Sequence, residues 1–492
     1  MAQRRSSKRL ASSRYNHLSD LSRGTTLLFN TFTLNLLALQ GRDMARARRI
    51  LAEPSARPHS ESTASLKQLL HEKGFIIDAE VDERAVLRAR YARARKGGGA
   101  LSLTIAPTLA CNFRCTYCYQ TRPARNMNKE VEEAVREFVR AHLREGQSLF
   151  VTWFGGEPLL AMETVERLSK AFIKMCRQKK ARYSASIVTN GYLLDTDTAR
   201  RLKRLHVREA QVTIDGPADV HDARRPTARG GSTFSKVLEN LKSASGKLKI
   251  SLRMNIDAAN RERVDEMLDI LEREGLKRRV GFYVGQVQPY TAACQDVAGS
   301  CVSNEEFSLL GLRTRMAMAE RGFTSTFAYP HSPDCHCVAD NGDAVVITPT
   351  GGLARCWNEV DDPSAEVGHL LAPRTDAMVK QAACWGEVDP FKLECGECLL
   401  LPMCMGGCPY MPLRSGTLEC HPWKAHLNES LLFYYFLRET QRQKEIAGHF
   451  TNAVNTLRAR GKTSGPRPPT ERRLTRGARG RAAENPRKRG PR

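Results

Sequence analysis

Three thiols fall within eight residues: Cys111, Cys115 and Cys118, spaced by three residues and then two. A loop of that length can wrap three sulfurs round one face of a cube. It would hold three irons of a [4Fe–4S] cluster and leave the fourth without a protein ligand. An iron with an open position is a place for chemistry, as in other metal sites. The competing readings are a partial zinc knuckle or three unrelated thiols. Tetrahedral zinc needs a fourth ligand nearby, and no Cys or His follows within ten residues.

A second thiol-rich stretch lies far downstream, where residues 335–420 hold nine of the fifteen cysteines. Cys395, Cys398, Cys404 and Cys408 are regularly spaced; Cys335, Cys337 and Cys356 precede them and Cys420 follows. Such spacing reads as metal binding, either iron–sulfur clusters or two structural zincs. Cys176, Cys294, Cys301 and Cys384 fit no pattern and read as core or surface thiols. Between the two stretches stand Gly155-Gly156-Glu157-Pro158, Thr189-Asn190-Gly191 and Asp215-Gly216-Pro217, each an ordinary turn signal when taken alone.

Taken together these runs resemble one family. With an aromatic at Tyr117, the first three cysteines resemble the signature of radical S-adenosylmethionine (SAM) enzymes. The resemblance implies an open iron that chelates the amino and carboxylate groups of SAM, and reductive cleavage of SAM to a 5′-deoxyadenosyl radical. Gly155, Gly156 and Glu157 resemble the family's Gly-Gly-Glu-Pro, which holds the SAM amino group; Glu157 is expected to offer its carboxylate to that ammonium. The run from Thr213 through Asp215, His221 and Asp222 to Arg225 resembles that of the subfamily acting on peptides and sulfatases. By that match Thr213 is a SAM-contacting hydroxyl and Arg225 meets the SAM carboxylate. Asn255 stands where ribose would lie, and His221 reads as a structural hydrogen-bonding residue.

The downstream cysteines, with Gly351 five residues before Cys356, resemble the SPASM extension, which carries one or two auxiliary [4Fe–4S] clusters. By analogy Cys337, Cys356 and Cys408 serve one cluster, and Cys395, Cys398, Cys404 and Cys420 the other. Some relatives place a fourth ligand of the first cluster about six residues before the equivalent of Cys337, where this chain has His331. Either Cys335 serves instead or the cluster keeps an open iron. In the branch that matures anaerobic sulfatases, an Asp follows the cysteine matching Cys356 and acts as base; Trp357 stands there here, so no catalytic base is assigned. The Cys-Trp pair looks more like maturases of ribosomally made peptides, which install thioether or carbon–carbon cross-links. Such an enzyme implies a precursor peptide or protein substrate and an electron donor such as flavodoxin or ferredoxin.

The elements that must position these residues are legible as alternation. Strands are expected over 101–105, 149–154, 184–188, 209–214, 248–256 and 280–284. Helices are expected between them over 129–144, 165–178, 196–205, 234–245 and 261–274. Repeated strand–helix units call for a parallel sheet, and the resemblance makes it a partial (β/α)6 TIM-like barrel with its chemistry at the C-terminal strand ends. The expected fold class is therefore α/β, with a small N-terminal α+β module and a C-terminal Cys-rich SPASM domain. The expected domains are a disordered basic stretch over 1–12, a module over 13–97, the barrel over 99–300 and the auxiliary domain over 325–425. A helix over 426–450, expected to pack on the barrel, and a disordered basic tail over 457–492 complete them. Gly97 to Gly99 read as a hinge, and the module reads equally as a structural cap or as a docking surface for a leader peptide.

Charge and composition narrow the classes further. Of the net +24, the segment Arg458–Arg492 supplies +11, with 13 Lys or Arg against 2 Asp or Glu. It contains no aromatics to stack on bases, so a solvated tail is preferred to a nucleic-acid arm. No apolar run approaches the roughly 20 residues of a membrane span, and the N-terminus lacks a secretory pattern. Unpaired, metal-like cysteines suit a reducing cytoplasm. Three readings stand: a radical SAM/SPASM peptide or protein maturase, an anaerobic sulfatase-maturating enzyme, and, from another class, a zinc-stabilised nucleic-acid-binding protein.

Overall fold

The computed structural model describes residues 9–21, 24–121, 123–323 and 330–442. The first hundred residues carry Leu10–Ser12 (β1), Asn16–Asp20 (β2), Thr25–Asn30 (β3), Leu36–Gln40 (β4), Gly41–Ala52 (α1), Glu61–Glu72 (α2), Ile76–Asp78 (β5) and Glu83–Lys96 (α3). They form two antiparallel sheets, β2-β3-β4 and β1-β5. The disorder expected over 1–12 is corrected from Leu10 on, because Leu10 packs on the small core of Leu28, Leu70 and Ile76 while β1 pairs with β5; residues 1–8 lie outside the described residues. Helix α1 was not expected. It buries only Ala47 and Ile50 among its arginines, three residues apart on one face.

From Leu101 the chain alternates as expected: Leu101–Thr108 (β6), Lys129–His142 (α4), Leu149–Gly155 (β7), Met162–Gln178 (α5), Tyr183–Thr189 (β8), Thr196–Arg204 (α6), Val207–Thr213 (β9), Ala218–Arg224 (α7), Phe234–Ala244 (α8), Lys249–Ile256 (β10), Val264–Arg273 (α9), Val280–Gln286 (β11) and Asn304–Arg321 (α10). The six strands β6 to β11 lie side by side in chain order, every neighbouring pair parallel. This is the parallel sheet of strand–helix units that the sequence implied. β6 is buried along nearly its whole length, as a strand covered on both faces must be. The helices start where side chains can cap them: Asn128, Asp195 and Ser303 each accept from a backbone N–H three residues on.

The far side of β6 continues into the cysteine-rich region through Ala344–Ile347 (β12, parallel to β6), Gly352–Ala354 (β13) and Gly368–His369 (β14). Asp376–Glu387 (α11), Leu401–Cys404 (α12), Tyr410–Ser415 (α13) and Leu427–Arg442 (α14) follow. α14 does not lie on the barrel as expected. Its Leu431, with Leu427 and Tyr434, packs instead on Leu27, Phe29 and Leu36 of the N-terminal sheet, the apolar face nearest to it. Nor is the triglycine a loose hinge: the backbone N–H groups of Gly98 and Gly99 both donate to the Asp343 carboxylate, at 2.5 and 2.8 Å. The remainder of the expected C-terminal helix and the basic tail lie outside the described residues.

Candidate active site and its cysteine groups

Four strand ends meet at the cysteine loop. Phe113 anchors the loop in the core, edge-on to Tyr192 at 5.7 Å, while the N–H groups of Arg114 and Thr116 donate to Pro226 O and Arg224 O. The glycine pair after β7 is required by crowding. Gly155 has φ +117°, and a Cβ there would lie 2.2 Å from Thr108 O; one on Gly156 would lie 2.4 Å from Ala110 O. The backbone closes on itself in return, with Gly156 N donating to Thr108 O and Glu157 N to Ala110 O.

Glu157 follows the glycine pair directly. Its side chain is fully buried: Oε1 accepts from Leu159 N and from the Thr189 hydroxyl at 2.8 Å, and Oε2 from Asn190 N at 2.7 Å. Three of the carboxylate's about four lone-pair sites are so used, and it braces the Thr189-Asn190-Gly191 turn. Burial pushes its pKa up, against those hydrogen bonds. The turn it braces carries Asn190, whose amide donates to Asn112 at 2.7 Å and lies 4.0 Å from Cys111 Sγ.

The ends of β9 and β10 meet the loop through one phenol. Tyr117 donates to Asp215 Oδ2 at 2.5 Å and accepts from Arg225 Nη1 at 2.5 Å and Asn255 Nδ2 at 3.0 Å. The Arg224 guanidinium lies 4.9 Å from the centre of the Tyr117 ring and pairs with Asp215 and Asp257. Tyr117, Arg225 and Asn255 are thus brought together, whereas Thr213 enters as a buried strand residue opposite Arg253. Sequence reasoning did not single out Asp215 as a hub; its place in the Asp-Gly-Pro turn was the available signal. His221 accepts from Asp215 N through Nδ1 and is buried, as a structural residue should be. Burial, helped by Arg225, pushes its pKa down to about 3.

The residues present fit an iron–sulfur group. Burial pushes the Cys111 thiol up to about 12, and Cys115 and Cys118 are among the neighbours adding to it. Crowded thiols of this kind are costly as free anions but give up their protons to a metal. Beside them Arg225 is buried, feels the charge of Cys115, and keeps its Nε without a hydrogen-bond partner, an unspent donor for an anionic ligand.

Downstream, Cys395, Cys398, Cys404 and Cys420 line one pocket together with His421 and Lys424. Lys424 Nζ lies 3.5 Å from Cys420 Sγ, a cation placed to favour thiolates. Cys337, Cys356 and Cys408 gather separately, packed with Tyr290, Trp385 and Tyr410. Cys335 packs against the cluster of Tyr15, Tyr91 and Phe391, as Cys395 does, and its thiol donates to Cys337 O at 3.7 Å. Among the described residues no three His, Cys, Asp or Glu side chains converge closely enough for a single metal ion. A cubane takes its thiolates from points spread round a cage.

Trp357 follows Cys356 and stacks on Phe154 at 5.4 Å, with 42% of its surface exposed. Phe154 immediately precedes the glycine pair, so an open indole flanks the mouth where the strand ends meet. Cys176 and Cys294 are buried, Cys301 is half-buried and Cys384 is exposed. No helix among the described residues is long and apolar enough to cross a membrane.

Comparison with known proteins agrees with this arrangement. Residues 105–271 match the radical SAM superfamily. The chain is 26% identical over 341 residues to the serine-type anaerobic sulfatase-maturating enzyme of Klebsiella aerogenes, covering 61% of this chain and 77% of that protein. It is 30% identical over 174 residues to the GTP 3′,8-cyclase of Campylobacter jejuni, covering 35% and 51%. A solved structure titled "Native anSMEcpe with bound AdoMet and Cp18Cys peptide" superposes with a TM-score of 0.54 at 21% identity, covering 73% of this chain and 99% of that one, a likeness of fold.

Proposed function

We propose that this chain, a radical SAM enzyme by the domain it carries over residues 105–271, is a maturase that modifies a residue of a peptide or protein. When bound, a [4Fe–4S] cluster with SAM supplies reductive cleavage of the sulfonium and a radical that abstracts hydrogen. Cys111, Cys115 and Cys118 would hold that cluster. Arg225, with its unpartnered Nε, and Asn255 would orient SAM, held in place by the Tyr117 hydroxyl. Glu157 and the glycine pair hold the loop at its place, and by the resemblance Glu157 would offer its carboxylate to the SAM ammonium. The two downstream groups would carry auxiliary clusters, and Trp357 with Phe154 would form an apolar wall against the substrate residue.

One observation carries the reading most. A single phenol ties the cysteine loop to the ends of two barrel strands and sits beside a buried guanidinium whose Nε lacks a partner. A chain that used these cysteines only for a structural zinc would have no use for that charge. Anaerobic reconstitution with iron, sulfide, dithionite and SAM should release 5′-deoxyadenosine, and Cys115→Ala should abolish it. Zinc without acid-labile sulfide would instead support the zinc-stabilised rival.

The bond formed is a cross-link, thioether or carbon–carbon, in this reading, because Trp357 leaves the place of the sulfatase branch's carboxylate without a base. Maturation of a sulfatase is the second reading, favoured by the identity to the Klebsiella enzyme along 77% of its length. Mass spectrometry separates the two. A precursor peptide that loses two hydrogens per cross-link, with a sulfatase-derived Ser or Cys peptide left unchanged, supports the first; oxidation of the sulfatase peptide supports the second.

A further inference from the structure

Arg355 stands immediately before Cys356, and its side chain reaches back to the turn that follows Cys337. Nε and Nη2 both donate to Ala339 O, at 3.1 and 2.6 Å. Nη2 also donates to Asn341 O at 2.8 Å, and Nη1 to Ala344 O at 2.9 Å. The chain itself gathers these acceptors: Val338–Asp340 is one short helical turn, and such a turn leaves later carbonyls facing out of its end. The planar fork of an arginine can collect them together. One side chain thus ties the turn of Cys337 to Cys356, and those two thiols pack in a single apolar cluster with Cys408. Among the described residues the hydrogen-bond partners of this guanidinium are carbonyl oxygens, and none is a carboxylate. Carbonyl dipoles satisfy its N–H groups but leave its unit charge in place. Asp340, the acid inside the turn, accepts from the Tyr91 hydroxyl at 3.1 Å instead.

We propose that Arg355 is a positioning residue for the auxiliary cluster of Cys337, Cys356 and Cys408: it sets the two loops against each other and places beside them a fixed cation that raises the cluster's reduction potential. The assignment rests on the reading above that these thiols hold an iron–sulfur group. A cubane gains a negative charge when it is reduced, and a neighbouring cation makes that gain less costly. Trp385 and Tyr410 pack round the thiols, so solvent screens the effect little. The cation of the other group, Lys424, is exposed at 3.5 Å from Cys420 Sγ, where water screens it, so the two groups should differ in potential. The group beside Arg355 is thereby suited to accept an electron rather than to donate one.

The test uses the full chain with Cys111→Ala, Cys115→Ala and Cys118→Ala, which leaves only the downstream groups, reconstituted anaerobically. It is titrated with dithionite while electron paramagnetic resonance reads each reduced cluster. The signal lost on adding Cys337→Ala is the one at issue, and the other serves as an internal reference. Arg355→Gln should raise the oxidised-to-reduced ratio of that signal at a fixed potential by about ten-fold, a midpoint lower by about 59 mV for one electron, and leave the reference where it was. Arg355→Lys keeps the charge and loses the fork, so its midpoint should lie nearer the parent than Arg355→Gln does. An unmoved midpoint in Arg355→Gln overturns the assignment, as does an equal shift in Arg355→Lys or in the reference. If Arg355→Gln assembles too little cluster to read, iron content decides. Recovery of the parental iron content in Arg355→Lys supports the assignment, because charge then suffices without the fork; no recovery overturns it, the side chain being a scaffold alone. Zinc without sulfide in the parent, or no signal lost in Cys337→Ala, fails the underlying reading. Iron with sulfide and an unmoved midpoint fails this assignment alone.

Discussion

The Tyr117 hydroxyl takes hydrogen bonds from Arg225 and Asn255 and gives one to Asp215, so its removal strands three buried partners at once. Tyr117→Phe should lower stability by about 1–3 kcal/mol and weaken SAM binding, since each unsatisfied buried group bears its own desolvation cost. Thermal melting and equilibrium dialysis with SAM check the two effects. His221 makes a pH prediction with a definite sign. Its folded pKa is about 3, lowered by burial and Arg225, with Asp222 opposing and Arg224 adding. The imidazole is therefore neutral in the fold, and its contribution is complete above the unfolded value near 6.5 and declines as pH falls toward 3. Going from pH 7 to pH 5 should cost about 2 kcal/mol from this group, and His221→Gln should flatten that part of the melting profile. At this scale the cysteines and the glycine pair could be read because their meaning lies in local spacing. The inward turn of Glu157 could not, because its partners, Thr189 and Asn190, stand more than thirty residues away.

Strands β6 to β11 were legible because apolar runs and amphipathic helices alternate, and that alternation allows few arrangements. Two elements escaped for opposite reasons. α1 hides its two buried residues, Ala47 and Ile50, among arginines. α14 was seen as an apolar helix but assigned to the wrong surface, because an apolar face shows that it must be covered and not by what; Leu27 and Phe29 cover it. The end of β7 is pressed tightly against the end of β6. Gly155→Ala would put a Cβ 2.2 Å from Thr108 O at φ +117°, a position with no room and a backbone that favours glycine. We expect this substitution to reduce soluble yield sharply and to prevent assembly of the first cluster, read as loss of iron per chain; Gly146→Ala, with φ +72° but open space around it, should leave iron content unchanged.

Over the whole molecule, the module expected to swing on a triglycine hinge is instead fastened to the cysteine-rich region. Tyr15, Leu87 and Tyr91 bury themselves against Phe391, Leu401 and Met405. Arg84 and Arg14 both pair with Glu397, at 2.5 and 2.6 Å, and the Thr31 hydroxyl donates to Leu399 O at 2.5 Å. Phe391→Ala should therefore cost about 3–5 kcal/mol, the range for deleting a buried aromatic, and limited proteolysis should then cut between residues 97 and 100 before it cuts the barrel. Pairing of residues 15–91 with residues 391–431 also sets a timetable for biosynthesis. The amino-terminal segment leaves the ribosome with an oily flank whose mate is encoded some 300 codons later, a wait of roughly 15–60 s at ordinary elongation speeds. Through that interval the nascent polypeptide must be shielded or stay dilute, so holdase capacity in the host, as much as iron supply, sets how much intact enzyme is recovered.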